Sequence, residues 1–326
     1  IKGELPYPTP TVLGHEMSGV VVETAPDVTG VKPGDRVVST FILPCGHCDA
    51  CNRGRDDLCI NFFTVHRSKG VLYDGETRLH RSDGSPLAMY SMSGLAEYCV
   101  VPATAVFPIP PEVAIHEACI LGCAVPTAYS AVRHQADIRP GDTVAVVGAG
   151  GVGSNIIQVA RAFGASEVIA VDIREDKLAA ARRLGATQGV NGAEADPAAQ
   201  IRALTGGKGV DVAFEALGRP DTVLTAFDAV RDGGKVVVVG LAPTSVAAPI
   251  EITRLVRRSV SMLGSFGARM RSDVPDLIEL VARGAVSTQQ LVTQRFTLET
   301  AHEAYAALGR GEITGRAMVV IDPAAK

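Results

Sequence analysis

Four cysteines fall within fifteen residues: Cys45-Gly-His-Cys48-Asp-Ala-Cys51, then Cys59, in a chain that has seven cysteines in all. Four thiolates at this spacing can close a tetrahedron around Zn²⁺ with no open position, which is how a structural site is built. Gly46, Asn52, Gly54 and Asp56 permit the tight loop that such closure needs. Disulfides would compete for the same residues, but no secretory leader accompanies the cysteines. A redox C-x-x-C needs two cysteines, and three at equal spacing exceed it. A closed zinc lobe is the expectation, with His47 a bystander.

Two further constellations can do chemistry. Gly14-His15-Glu16 sets a neutral imidazole beside a carboxylate able to orient or replace a ligand on a cation. The bland account of that pair is a solvated surface turn, since a histidine ligand needs partners. Cys119 and Cys123 could supply one; they are four apart on a helical pattern that ends in a glycine turn, and spacing alone does not choose between them. The other constellation is Gly148-Ala-Gly150-Gly151-Val152-Gly153, between an apolar run from Val144 to Val147 and an amphipathic stretch carrying Ile156, Ile157, Val159, Ala160 and Phe163. Gly148 permits a tight turn, Gly150 lets the backbone approach a pyrophosphate, and Gly153 lets helix and strand pack closely. The phosphates would rest on the N–H groups at the helix start. A second apolar run ends at Asp172, where a carboxylate can accept both ribose hydroxyls of an adenosine and would repel a 2′-phosphate. Strand, glycine turn, helix, strand and acid together predict a dinucleotide site that takes NAD.

The elements that must position these groups follow from the pattern. A strand is predicted from Gly19 to Val22, another after the Val31–Val37 turn, and a further one over Gly94–Pro102 that carries Cys99 as a small buried hydrophobe. Between them, Asn61 to Met92 reads as polar and turn-rich, with turns at Tyr73–Glu76 and Ser82–Ser85. After Asp172, helical segments alternate with apolar runs at Val210–Gly218 and Gly234–Gly240. This is the doubly wound parallel-sheet pattern, with a ligand expected across the C-terminal edge of the strands. Helical periodicity returns over Ser272–Val281 and Leu298–Leu308, and Ala317–Ile321 closes as a strand.

The order of these features resembles the zinc-dependent medium-chain alcohol dehydrogenases over essentially the whole chain. The resemblance implies a Rossmann cofactor domain (126–264) and a mostly β, GroES-like catalytic domain with a four-cysteine zinc lobe, discontinuous in sequence (1–125 and 265–326). It assigns His15 and Cys123 to a catalytic zinc, with Glu16 beside it or transiently bound to it, and Cys119 to the core. Thr127 matches the contact to the nicotinamide carboxamide, Val152 the residue packed on the nicotinamide ring, Lys177 a ribose contact and Arg316 a pyrophosphate contact. Phe41 matches a pocket-lining aromatic, and Met89 and Tyr90 fall near other pocket positions. The remaining zinc ligand, a cysteine that brings the proton-relay hydroxyl with it, is expected upstream of Ile1. Two zinc ions per chain, one catalytic and one structural, and NAD are the implied cofactors.

The implied activity is hydride transfer between an alcohol and NAD, with aldehyde or ketone reduction as the reverse. The alternatives are a nicotinoprotein that keeps its NAD bound, a non-catalytic dinucleotide-binding protein with a structural zinc lobe, and a zinc-free quinone-reductase-like relative, which usually lacks both cysteine lobe and histidine ligand. A length of 326 residues favours two domains. A net charge of −4 without a long basic run gives no footprint for nucleic acid. No apolar stretch reaches the roughly 18 residues of a membrane span, and a cytoplasmic location is expected. The retained Asn61–Met92 stretch matches the dimeric members of the family. A homodimer is therefore expected, pairing edge strands drawn from Ile250–Ile252 or Ser259–Leu263.

Overall fold

The computed structural model describes residues 7–194 and 196–322. Its first part is built from short strands: β1 (Thr11–Val12), β2 (Met17–Val20), β3 (Arg36–Ser39), β4 (Leu79–His80), β5 (Pro86–Met89) and β6 (Val106–Pro108). They form two small sheets, in the orders β2-β3-β6 and β1-β5-β4. In the first, β3 runs antiparallel to both neighbours and sets Val38 opposite Ser18 and Phe107. Val37 and Val38 are buried, as is Phe107 on β6, while Val20 at the end of β2 is exposed.

The middle of the chain folds into one six-stranded, all-parallel sheet: β7 (Thr143–Val147), β8 (Glu167–Asp172), β9 (Gln188–Asn191), β10 (Val210–Glu215), β11 (Val230–Val238) and β12 (Ser261–Gly264). The order across the sheet is β12-β11-β10-β7-β8-β9. Numbered from β7, that is the 3-2-1-4-5-6 order of a Rossmann fold. Helices Gly153–Ala162, Glu175–Arg183, Pro197–Leu204 and Pro220–Ala229 make the crossovers that parallel pairing requires. They cover both faces, which is why Val144–Val147 and Val168–Val171 are unbroken apolar runs and fully or almost fully buried. The chain leaves β7 toward β8 on one side and returns from β9 to β10 on the other. A crevice therefore opens beyond the C-terminal ends of β7 and β10.

The last part adds the helix Met270–Ala282, β13 (Val292–Thr297), the helix Ala301–Gly309 and β14 (Arg316–Val320), with β13 and β14 a parallel pair. One apolar cluster joins Val38 and Phe107 from the small sheets, Val144 and Phe214 from the large one, and Leu277 and Met318 from the tail.

The first predicted strand lies two residues earlier than expected, at Met17–Val20, because its pairing with Arg36–Ser39 fixes the register. No strand forms over Gly94–Pro102: the backbone bonds Gly94 and Leu95 N–H to Gly14 and Leu13 O, and beyond them Tyr98 and Val100 face solvent with no partner strand. The β-branched residues there had no edge to join. The polar stretch hides a helical turn over Phe62–His66 that continues into Arg67–Lys69. At the end of the large sheet, Ile252–Arg257 is helical and the edge strand is Ser261–Gly264.

Candidate active site

The four cysteines meet as expected of a closed lobe: their sulfurs lie within 4.8 Å of one another. Cys45 and Cys51 sulfurs are 4.0 Å apart, as are those of Cys48 and Cys59. Four bonds of about 2.3 Å to one zinc would set sulfurs about 3.8 Å apart, whereas a disulfide needs about 2.05 Å. Every cysteine in the protein is a free thiol. Backbone N–H groups of Cys45, Cys48 and Phe62 point at the sulfurs, at 3.3 to 3.4 Å, and would support negative charge on them. The lobe is tied to the rest of the protein by Arg271, whose guanidinium bonds buried Asp56 at 2.7 Å and the Cys51 carbonyl at 2.6 Å. Nothing in local sequence flags that pair, 215 positions apart.

His15, Glu16 and Cys123 form the second cluster of possible ligands, their donor atoms also within 4.8 Å. Gly122 makes the meeting possible: a Cβ there would sit 2.5 Å from the Ser39 carbonyl oxygen and 3.1 Å from Glu16 Cα. The Gly122 carbonyl in turn accepts from Phe41 N at 2.9 Å, locking the turn onto the end of β3. Burial lowers the pKa of His15 against the opposing pull of Glu16, so the ring is neutral as a ligand must be. Burial, and then the charge of Glu16, push the Cys123 thiol well above its ordinary value, with Arg316 opposing. A thiol so placed yields its proton to a cation brought against it, and the donor set fits zinc. Both Glu16 oxygens already have donors, Oε1 from Ala124 N at 3.0 Å and Oε2 from Arg316. Glu16 is thus held in place within the cluster by the start of a helix and by an arginine 300 positions away. Cys119 lies outside the cluster, its thiol pushed up to about 12 by burial.

A cavity of about 320 Å³ opens onto His15 and Cys123. Thr127, Val152 and Phe41 line it, as does Tyr90. Phe41 and Tyr90 meet the His15 ring edge-on, with centroids at 6.2 and 5.6 Å. Met89 is buried and is not part of the wall. The residues after the parallel strands complete the lining: Leu217 follows β10, Val239 to Leu241 follow β11, and Ser265 to Gly267 follow β12. The rule that ligands gather at C-terminal strand ends could have picked these out. Tyr7, Phe62, His66 and Arg67 also contribute, and no sequence signal pointed to them.

At the glycine turn, a Cβ on Gly153 would fall 1.8 Å from the Gly148 carbonyl oxygen, so only glycine allows the helix this close to the strand. Gly148 takes a φ of +97°, and Gly150 faces open space, which leaves its backbone free for a ligand to approach. Arg316 lies against Gly151, with a guanidinium nitrogen 2.9 Å from where a Cβ would be. Asp172 accepts from Ala149 N at 3.0 Å and from Arg174 N at 3.1 Å, with Lys177 Nζ at 3.8 Å. The Arg174 guanidinium is taken by Asp176, the Gly311 carbonyl and Thr314.

Two family models match, that of zinc-binding dehydrogenases over residues 151–283 and that of the alcohol dehydrogenase GroES-like domain over residues 1–111. The chain is 34% identical over 307 residues to S-(hydroxymethyl)glutathione dehydrogenase of Escherichia coli O1:K1 / APEC, covering 93% of this chain and 83% of that one. Among solved structures it superposes on an alcohol dehydrogenase zinc-binding domain protein from Burkholderia ambifaria with a TM-score of 0.92 at 32% identity, covering 98% of this chain and 86% of that one. It also superposes on benzyl alcohol dehydrogenase from Acinetobacter calcoaceticus, with a TM-score of 0.91 at 30% identity and the same coverage. The chain belongs to the zinc-dependent medium-chain alcohol dehydrogenases, enzymes that transfer a hydride between an alcohol and NAD.

Proposed function

We propose that this protein oxidises a primary or secondary alcohol carrying an apolar body, and runs the reverse reduction, with two zinc ions per chain. The observation that carries this is the meeting of His15 and Cys123 with Thr127 and Val152 in one cavity beyond the parallel strands. His15 and Cys123 would hold the catalytic ion, and Cys45, Cys48, Cys51 and Cys59 the structural one. A zinc at the first site supplies a Lewis acid that lowers the pKa of an alcohol hydroxyl, and NAD supplies the hydride acceptor.

The chain's own residues do the rest. Glu16, braced by Arg316, sets the electrostatics behind the metal ligands. Thr127 would hold the carboxamide and Val152 the face of the nicotinamide, fixing its reactive carbon toward the alcohol. Phe41, Tyr90 and Phe266 exclude water from the reacting centre. Gly148, Gly150, Gly151 and Gly153 seat the pyrophosphate with Arg316 beside it, while Asp172 and Lys177 receive the adenosine ribose. Residues 126–264 would form the cofactor domain, and 1–125 with 265–326 the catalytic one. Among the described residues no single helix is long and apolar enough to cross a membrane; one bent pair, Ile115–Gly122 with Ala124–Ala136, has that length and composition but packs largely in the core. A cytoplasmic homodimer is the proposed state.

The test is zinc content together with turnover on a panel of primary, benzylic and allylic alcohols and thiol adducts of aldehydes. Two zincs with NAD-dependent turnover are expected. Two zincs without turnover would overturn the catalytic reading, and one zinc would leave the lobe alone.

A further inference from the structure

Most of the cavity wall is apolar, formed by Phe41, Phe62, Phe266, Leu217 and other aliphatic side chains. Arg67 interrupts it. Its side chain is half-buried, lines the cavity, and makes no hydrogen bond or ion pair among the described residues. The other arginines beside functional positions are committed: Arg316 to Glu16, Arg174 to Asp176, Arg271 to Asp56. A guanidinium on a largely apolar wall, with no anion beside it among the described residues, is open to a ligand, and its five donors in a planar fork match a carboxylate. Its neighbour His66 makes the same wall polar a second time. His66 is almost wholly buried and lines the cavity; Nδ1 donates to the Val71 carbonyl at 2.7 Å, while Nε2 has no hydrogen-bond partner among the described residues. Buried polar atoms without partners are rare in folded proteins, and His66 Nε2 next to a half-buried guanidinium on the same cavity wall marks a place where a ligand can complete the hydrogen bonding.

Resting on the alcohol dehydrogenase reading above, we propose that the substrate is an alcohol with an apolar or aromatic body and a carboxylate at the end away from the reacting carbon, and that Arg67 binds this carboxylate. Arg67 is thereby a specificity-determining residue. The carboxylate would receive charge-assisted hydrogen bonds in surroundings that screen them little, and the aromatic wall would hold the body between anchor and metal cluster. A neutral alcohol of the same shape would leave the guanidinium unpaired, a situation that discriminates against the analogue.

The experiment uses the zinc-loaded protein and compares kcat/KM for 4-(hydroxymethyl)benzoate and for benzyl alcohol, in the wild type, Arg67→Met and Arg67→Lys. The acid should be preferred over the neutral alcohol by about tenfold or more in the wild type, lose that preference in Arg67→Met, and regain part of it in Arg67→Lys, which keeps charge but not the fork. A second measurement does not need turnover: quenching of bound NADH fluorescence by 4-carbamoylbenzoate and by benzamide should show the charged ligand binding more tightly, and Arg67→Met should remove the difference. A binding difference without turnover of any alcohol would keep the anchor and sink the catalytic reading. Turnover with equal or poorer use of the acid, or an acid preference untouched by Arg67→Met, would overturn the anchor and leave the catalytic reading standing.

Discussion

Asp172 ends β8 with one carboxylate oxygen accepting from Ala149 N and the other from Arg174 N, so its charge is fixed at the lip of the glycine turn. Arg174, the cation two residues on that could have welcomed a 2′-phosphate, has its guanidinium bound to Asp176 at 2.9 and 2.5 Å and also to the tail. Two unit charges of the same sign 4 Å apart repel by roughly 4 kcal/mol at an effective dielectric constant of about 20, and a 2′-phosphate would bring nearly two. NAD⁺ is therefore expected to exceed NADP⁺ in kcat/KM by at least about a hundredfold. Asp172→Ala should narrow the gap by weakening NAD⁺ and relieving NADP⁺. A wild-type preference for NADP⁺ would defeat the assignment of Asp172 as the ribose acceptor.

At the scale of elements, the cysteine loop and the glycine turn fail in different ways. The loop has little apolar surface of its own, and its order would come from four sulfurs around one ion and from Asp56 gripping Arg271. Cys48→Ala should halve the zinc content of purified protein and lower its Tm, while the folded remainder keeps ordinary KM values for alcohol and NAD⁺. Loss of turnover in a Cys48→Ala protein that still folds and still holds NAD and its other zinc would reassign the lobe. Gly153→Ala acts inside the fold. The added methyl cannot coexist with the Gly148 carbonyl oxygen 1.8 Å away, so the helix Gly153–Ala162 must retreat from β7. Overpacking of this kind costs about 3 kcal/mol. Calorimetry should show a lowered Tm, and titration with NADH a weakened Kd; an unchanged pair of values would mean that the turn does not seat the cofactor.

For the whole molecule, the large sheet ends at β12, which among the described residues pairs with β11 alone and leaves its other edge open. The segment between these two strands exposes apolar side chains, with Ile252 76%, Val256 68% and Leu241 64% accessible. Open edges and clustered apolar groups are liabilities that a two-fold pairing of two copies removes. Light scattering on the full-length protein should give twice the chain mass. A monomer would reject pairing through this edge, and a tetramer would show that the Asn61–Met92 stretch does not control assembly. A dimer whose mass falls to the monomer value in Ile252→Asp with Val256→Asp would locate the contact.

The cysteine lobe, the glycine turn and the acid at the end of β8 were legible in the sequence because each is local: their atoms belong to one loop or one strand-turn-helix unit, and chain geometry over a few residues fixes them. The alternation of buried strands and covering helices was legible for the same reason, since period and run length are local properties. Resemblance supplied His15 and Cys123 as partners, but only packing brings Glu16 to the Ala124 N–H, 108 positions away, and to Arg316, 300 positions away. The strand expected over Gly94–Pro102 did not form because propensity cannot supply a neighbouring edge. Arg67 and His66 carried no signal at all in a stretch that read as polar loop. Their significance comes from the cavity they face, and a cavity exists only where strand ends, loop and tail have already been packed against one another.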